Sequence, residues 1–194
     1  MKKIDPIKHF EDSSLAISAM KAEKKDIEKA NDLIIKCLKS GKKLLVIGNG
    51  GSFSEAEHFV GELNSTFNKR NRKGLKALSL SSNITSLTAW SNDFTYDTFL
   101  SRQLAIHGSK GDVLCILTTS GYPNKQSNSK NLYLALKTAK KLGVKVLSLV
   151  GKSGGKIKKS SDICVHIKEE RTSVIQECQL SLIHYFCYNI DLNF

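Results

Sequence analysis

The stretch Leu44-Leu45-Val46-Ile47-Gly48-Asn49-Gly50-Gly51-Ser52 decides the fold of this chain. Its four apolar residues, bounded by a glycine-rich turn, predict a short buried strand, and residues 53–65 predict a helix. A turn of this kind at the start of a helix points free backbone N–H groups and the positive end of the helix dipole at one place. That place suits an anion, most often a phosphate, although a tight turn without any ligand would use the same glycines.

The helix after this turn carries a candidate proton-transfer pair. His58 and Glu62 are four residues apart, so they lie on one face of the helix. A nucleotide is not the favoured ligand, because Phe53 occupies the third glycine position of the dinucleotide fingerprint and the sequence has no Gly-Lys-Ser/Thr of a nucleotide P-loop. The sequence therefore predicts an anion site beside an imidazole and a carboxylate.

The pattern of apolar runs along the chain predicts an α/β fold. Two helices come first, at 7–22 and 25–40, and strands then alternate with helices. The predicted strands lie at 43–48, 75–80, 112–118, 144–150 and 162–167, and the later helices at 53–65, 97–107, 129–142 and 172–190. This order indicates a three-layer α-β-α sandwich with a five-stranded, mostly parallel, flavodoxin-like sheet and two leading N-terminal helices.

A second, hydroxyl-rich turn follows the third predicted strand. Ligands of such sheets bind at the carboxyl ends of the strands, so Thr118-Thr119-Ser120-Gly121 and the glycine-rich turn are expected to face one crevice. Hydroxyls of this turn, and of Ser129 at the start of the next helix, would donate hydrogen bonds to a phosphate. An ordinary turn followed by a helix cap would have the same composition.

The composition fits one globular domain. The 194 residues are 40% hydrophobic, and no run of 18 apolar residues could span a membrane. The first residues lack a secretory signal, so we expect a cytoplasmic protein.

The net charge of +12 suits acidic partners. Because the basic runs at 21–29, 69–76 and 152–159 lack interleaved aromatic residues, we interpret them as solvated faces and expect no nucleic-acid partner. The five cysteines form no C-x-x-C pair, which indicates reduced core thiols.

The last predicted helix carries Gln176 and His184 among apolar residues. A single histidine in such a helix is more often a core or interface residue than a functional one. Its value as a candidate depends on the other motifs.

Taken together, these motifs resemble those of the phosphoheptose isomerases, single sugar-isomerase (SIS) domains that interconvert sedoheptulose 7-phosphate and an aldoheptose 7-phosphate. The resemblance covers nearly the whole chain, and the motifs agree in order and spacing. They are the glycine-rich turn, His58 with Glu62, Ser91-Asn92-Asp93-Phe94, Thr118-Thr119-Ser120-Gly121, and Gln176-Glu177 followed by His184. The resemblance implies one SIS domain over 1–194, with 1–41 as a helical extension that packs in the oligomer.

The resemblance also implies roles for individual residues. Glu62 would be the base that moves a proton between the first two carbons, and His184 would shuttle a proton at oxygen. The residues that would hold the substrate are Asn49, Gly50, Gly51, Ser52, Glu62, Asn92, Asp93, Thr118, Thr119, Ser120, Ser129 and Gln176. The implied assembly is a homotetramer with active sites between subunits. The implied product is D-glycero-D-manno-heptose 7-phosphate, for lipopolysaccharide or capsule.

Some members of the family also bind zinc. The matching residues here are His58, Glu62, Gln176 and His184, and two imidazoles, a carboxylate and an amide oxygen suit zinc. Gln176 and His184 are eight residues apart, about 12 Å along a helix, so both would reach one ion only if the helix bends or the side chains lean together.

The chain departs from the family pattern at three places. Thr66 stands where members commonly have an arginine, Gln179 stands where they often have a histidine, and the turn after Ser120 is longer, so that the family's later serine matches Ser129 or Ser127. These departures affect the choice of sugar more than the reaction.

Two other functions use the same domain. One is a non-catalytic SIS-domain factor that binds a replication initiator, and the presence of both Glu62 and His184 argues against it. The other is a sugar-phosphate sensor attached to a regulator, and the first 40 residues do not show the helix-turn-helix pattern that it would need.

Overall fold

Five short apolar strands form one parallel sheet in the computed structural model, which describes residues 3–124 and 128–194. The strands are β1 Leu44–Ile47, β2 Ala77–Ser79, β3 Val113–Thr118, β4 Lys145–Val150 and β5 Ile163–His166. Their order in the sheet is β2-β1-β3-β4-β5, and every neighbouring pair is parallel. This is the flavodoxin-like order. The chain adds β2 on one side of β1 and adds β3, β4 and β5 on the other side, and a crevice therefore lies at the carboxyl ends of β1 and β3.

The described part of the chain forms eight α-helices, two more than the sequence analysis predicts. They are α1 Pro6–Ala19, α2 Lys24–Lys39, α3 Gly51–Asn64, α4 Ile84–Asp93, α5 Tyr96–His107, α6 Lys130–Leu142, α7 Gly155–Ser160 and α8 Thr172–Asn193, with a 3₁₀ turn at Met20–Glu23 between α1 and α2. The two unpredicted helices are α4, whose Leu87 and Trp90 are only partly buried against the core, and α7, which has only six residues. Helix α3 starts at Gly51, so the glycine-rich turn itself supplies the first helical residues.

Alternate residues of the central strands face two separate helix layers. Leu44 and Val46 pack with buried residues of α2, α3 and α8, whereas Leu45 and Ile47 pack with buried residues of α5 and α6. Both faces of the sheet are therefore covered, which confirms the predicted three-layer sandwich.

The two leading helices differ in how they pack. Helix α2 belongs to the core of this chain, since Ala30 and Ile34 are completely buried. Helix α1 leaves Ile7, Phe10 and Leu15 between 67% and 69% exposed. Only α1 thus has a free apolar face of the kind expected for an extension that packs in an oligomer.

All five cysteines are free, and four of them are buried, as predicted for core thiols. Among the helices that the structure describes, none is both long and apolar enough to cross a membrane.

Candidate active site

The glycine-rich turn joins β1 to α3 at the carboxyl edge of the sheet. Gly50 has φ +57°, a conformation that favours glycine, and a Cβ on Gly51 would collide with the side-chain amide of Gln176. The N–H groups of Gly50 and Gly51 make no hydrogen bond to any described backbone group, so they are open to a ligand. The close approach of α8 to Gly51 places Gln176 beside this turn.

Ser52 is in the wall of the cleft after β3, where its contact with the substrate stays a prediction, and its own polar groups are bonded within the protein. Its N–H donates to the Asn49 carbonyl at 3.1 Å, and its buried hydroxyl donates to Gln179 Oε1 at 3.2 Å. The hydroxyl is therefore directed toward α8 by the first turn of α3. Gln179 is fully buried and donates to the carbonyls of Thr118 and Leu149, so it connects α8 to the ends of β3 and β4.

The Asn49 side chain is also occupied within the protein. Asn49 and Asn131 exchange two amide hydrogen bonds of 2.9 Å, and the Tyr96 hydroxyl donates to Asn49 Oδ1 at 2.8 Å. These contacts tie the glycine-rich turn to the starts of α5 and α6. Sequence reasoning missed Tyr96 and Asn131, which belong to no local motif.

The hydroxyl-rich turn after β3 brings three predicted residues together. Thr118 Oγ1 and Ser120 Oγ each lie 3.4 Å from Ser129 Oγ, and Thr118 Oγ1 accepts the N–H of Gly121 at 3.3 Å. They line a cleft of about 430 Å³ together with Thr119, Gly50, Gly51 and Gln176. The sequence analysis places these residues at one crevice, and the structure does the same.

Lys152 is a further residue in the wall of this cleft. It lies in the loop after β4 and has φ +49°, in the left-handed region. The sequence analysis assigns it to a solvated basic run, but its position just after a parallel strand is a signal that could have identified it. The alternative serine, Ser127, lies outside the described residues. Tyr122, which begins the lengthened part of the loop, is buried and stacks on Tyr133 at 5.2 Å.

The proton-transfer candidates form a cluster between α3 and α8. His58 Nε2 lies 3.1 Å from His184 Nε2 and 3.5 Å from Glu62 Oε1. The His184 ring stands between His58, at an edge-to-face distance of 5.3 Å, and Phe67, which stacks on it at 5.8 Å. The Glu62 side chain is 24% exposed, so it is accessible from solvent.

Gln176 is not brought into this cluster by any described contact. Its side-chain nitrogen lies 3.5 Å from Ser52 Oγ, at the glycine-rich turn two helical turns before His184. In the described part of the chain, no group of three His, Cys, Asp or Glu side chains forms a metal site as it stands. The four-ligand zinc set therefore remains a prediction, with His58, Glu62 and His184 gathered and Gln176 apart.

Asn92 and Asp93 lie at the exposed end of α4. The Asn92 amide donates to the Asp93 carboxylate at 2.9 Å, and no described contact joins either residue to the cleft or to the histidine cluster. Their substrate contacts remain a prediction that would need another subunit.

Glu55 is a buried carboxyl group beneath the glycine-rich turn. It is 9% exposed, Oε2 has no hydrogen-bond partner among the described residues, and burial raises the pKa of Glu55 to about 8, although a hydrogen bond with Ser52 opposes the shift. The folded protein therefore holds a proton here at pH values where the unfolded chain has released it. Stability from this group is complete below 4.5, the ordinary pKa of a glutamate, and is lost as the pH rises to the folded-state pKa of about 8.

We expect the free energy of unfolding to fall between pH 5 and 8 with a slope of up to about 1.4 kcal/mol per pH unit from this group. Glu55→Gln removes the titrating group and should remove this slope. Urea unfolding of both proteins at several pH values, at one protein concentration, measures the difference, because other titrating groups contribute equally to both. Equal slopes in the two proteins would show that Glu55 is charged in the folded state.

Comparison with known proteins identifies the kind of domain that has this fold and cleft. Residues 8–151 match the family model of the SIS domain. A protein of Thermoplasma acidophilum described as a probable phosphoheptose isomerase is 39% identical over 191 residues, which are 98% of this chain and all of the relative. The phosphoheptose isomerase of Helicobacter pylori strain Shi470 is 44% identical over 84% of this chain and 81% of its own.

Solved structures agree with the sequence relatives. A phosphoheptose isomerase from Francisella tularensis superimposes with a TM-score of 0.90, at 31% identity over 99% of this chain and all of that chain. The chain belongs to the phosphoheptose isomerase family of SIS domain proteins, and it is an isomerase. This confirms the family resemblance and the fold class expected from the sequence.

Proposed function

We propose that this protein interconverts sedoheptulose 7-phosphate and D-glycero-D-manno-heptose 7-phosphate in the cytoplasm, for the heptose of a surface polysaccharide. The observation that carries the proposal is the cluster of His58, Glu62 and His184, with separations of 3.1 and 3.5 Å, on the two helices that flank the hydroxyl-lined cleft. With its phosphate bound in the cleft, the substrate would extend the other end of the sugar, where the reaction takes place, toward this cluster.

Glu62 is the proposed base. It takes the proton from the carbon next to the carbonyl and returns it to the neighbouring carbon, through an enediol. His184 moves a proton between the two oxygens, which removes charge from the enediol as it forms and collapses. No atoms are gained or lost, as an isomerisation requires.

The substrate phosphate is proposed to bind the cleft. The open N–H groups of Gly50 and Gly51 stand at the positive end of α3, and the hydroxyls of Thr118, Ser120 and Ser129 lie opposite them. Lys152 adds a positive charge in the wall. A dianion in this cleft would have several donors and one cation around it.

The proposed assembly is a homotetramer with active sites between subunits. Helix α1 exposes Ile7, Phe10 and Leu15, and α8 exposes Tyr188 and Leu192 at 54% and 84%. A second copy that covers these faces would remove the apolar surface from water and could bring Asn92 and Asp93 to a neighbouring cleft.

A zinc ion held by His58, Glu62 and His184 is part of the proposal. Ligand atoms around a tetrahedral ion with bonds of about 2.0–2.1 Å lie roughly 3.3 Å apart, and the separations of His58 from His184 and from Glu62, 3.1 and 3.5 Å, are close to this value. Gln176 would join them only by leaving the glycine-rich turn. When bound, zinc would polarise an oxygen of the substrate.

Protein purified without chelator is expected to contain about one zinc per chain. His58→Ala should lose the metal because two ligands rarely retain zinc, whereas His107→Ala, at the exposed end of α5, should keep it. Metal analysis by mass spectrometry gives the zinc content of each protein. Less than about one zinc per ten chains in the parent, with none taken up on addition, would contradict the site.

The proposed reaction is tested by incubating the purified protein with sedoheptulose 7-phosphate and following formation of the aldose by chromatography or NMR. We expect turnover in both directions. A folded protein without turnover, with or without added zinc, would favour the non-catalytic alternative. The clustered His58, Glu62 and His184 speak against that alternative, since a binding factor has no need of an acid–base set.

A further inference from the structure

A buried ion pair lies behind the proton-transfer cluster. Arg72 Nε donates to Asp191 Oδ1 at 2.7 Å, and the two side chains are only 1% and 8% exposed. Asp191 Oδ2 accepts the N–H groups of Asn68 and Lys69 at 2.7 and 2.8 Å. The pair therefore fixes the segment between α3 and β2 against the last turns of α8.

The same guanidinium group holds the end of the helix that carries Glu62. Arg72 Nη2 donates to the carbonyl of Glu62 at 2.6 Å, and Nη1 donates to the carbonyl of Leu63 at 3.0 Å. Carbonyls in the last turn of a helix have no partner within the helix, so an external donor fixes their position. Arg72 thus sets where α3 ends and where the Glu62 backbone lies.

The other half of the ion pair stands on the helix that carries His184. Asp191 follows His184 by seven residues, about 10 Å along α8. Phe67, in the segment that Asp191 fixes, stacks on the His184 ring and meets Tyr188 edge to face at 4.9 Å. One buried cluster therefore contacts the backbone of the proposed base and, through Phe67, the ring of the proposed acid.

We propose that Arg72 and Asp191 are positioning residues for the isomerisation, which together with Phe67 set the relative placement of Glu62 and His184. This inference rests on the proposed function. A planar guanidinium is required, because a lysine could not reach Asp191 and both helix-end carbonyls at once. Arg72, Asp191 and Phe67 do not line the cleft in which the phosphate is proposed to bind, so their loss should affect the chemical step and not binding.

The test compares three variants, Asp191→Asn, Arg72→Lys and Phe67→Leu, with a control variant at the amino end of β3. Asp112 is fully buried and accepts the N–H groups of Lys43 and Ser109 and the Lys43 ammonium group, as Asp191 accepts two N–H groups and Arg72. Asp112→Asn therefore matches the structural damage of Asp191→Asn at the amino ends of the strands, away from the cleft.

Kinetics with sedoheptulose 7-phosphate, corrected for the folded fraction, should show kcat lowered about 10- to 100-fold in the three variants, since misplacement by about 1 Å can cost this much. KM should stay near the parent value, and Asp112→Asn should keep the parent kcat. Phe67→Leu leaves the ion pair intact, so it decides the matter if the other variants do not fold. Unchanged kcat in the folded variants, or an equal loss in Asp112→Asn, would overturn the inference. Absence of turnover in the parent would instead overturn the proposed function, and this inference with it.

Discussion

Replacement of Glu62 by glutamine is expected to lower turnover by about 10²- to 10⁴-fold or more while the protein still folds and assembles. The amide has nearly the same shape as the carboxylate but cannot accept the carbon-bound proton. No other carboxylate contacts His58 or His184 among the described residues, so no group is positioned to replace it. Single-turnover exchange of the substrate hydrogen with deuterated water measures the lost step directly.

Glu57→Gln provides a matched control for this experiment. Glu57 lies on the same helix, and its carboxylate accepts a hydrogen bond from the Ser82 hydroxyl at 2.7 Å, away from the histidine cluster. It should keep parent turnover. His184→Asn should behave like Glu62→Gln, with an added loss if the metal leaves. Turnover of Glu62→Gln within about tenfold of the parent would remove Glu62 from the mechanism.

The sheet and the pairing of His58 with Glu62 could be predicted because they depend on local patterns. Each strand is a short apolar run that ends at a turn, and parallel strands place their carboxyl ends at one edge. Residues four apart on a helix are neighbours whatever surrounds them. These features need no knowledge of which distant residues meet.

Contacts between distant residues could not be predicted in this way. Asn49 meets Asn131 across 82 positions, and Ser52 meets Gln179 across 127. Whether Ser52 faces the ligand or the interior depends on the exact start of α3 and on how α8 packs against it. Sequence patterns locate a helix start only within a few residues.

The basic run at 69–76 shows how composition can mislead. It is interpreted above as a solvated face, yet Arg72 is buried beside Asp191. Sequence patterns could not show this, because the two residues are 119 positions apart. A buried arginine needs such a partner, since an unpaired charge is costly in the interior. Thr66, which stands where the family commonly has an arginine, lies just before this run, but nothing local distinguishes Arg72 from its neighbours.

Removal of the phosphate from the substrate is expected to raise KM by about 10³-fold or more. Charge-assisted hydrogen bonds contribute roughly 1.5–3 kcal/mol each, and a tenfold change in affinity corresponds to about 1.4 kcal/mol, so the loss of two such bonds accounts for this effect. The proposed donors are the N–H groups of Gly50 and Gly51 and the hydroxyls around Ser120. Competition by unphosphorylated sedoheptulose against the 7-phosphate measures the difference.

Ser120→Ala tests the same cleft from the side of the protein, and KM should rise about ten- to a hundredfold with little change in kcat. Ser161→Ala is the control, because the Ser161 hydroxyl donates to the Ile157 carbonyl. Ser161 lies just before β5, at the amino ends of the strands, whereas the cleft lies at their carboxyl ends. If the unphosphorylated sugar competes as well as the phosphate ester, or if Ser120→Ala keeps the parent KM, the phosphate does not bind in this cleft. Because Glu62→Gln is expected to lower kcat and Ser120→Ala to raise KM, the two variants should also separate proton transfer from phosphate binding. That separation is expected from a structure in which the cluster between α3 and α8 and the hydroxyl-lined cleft are distinct.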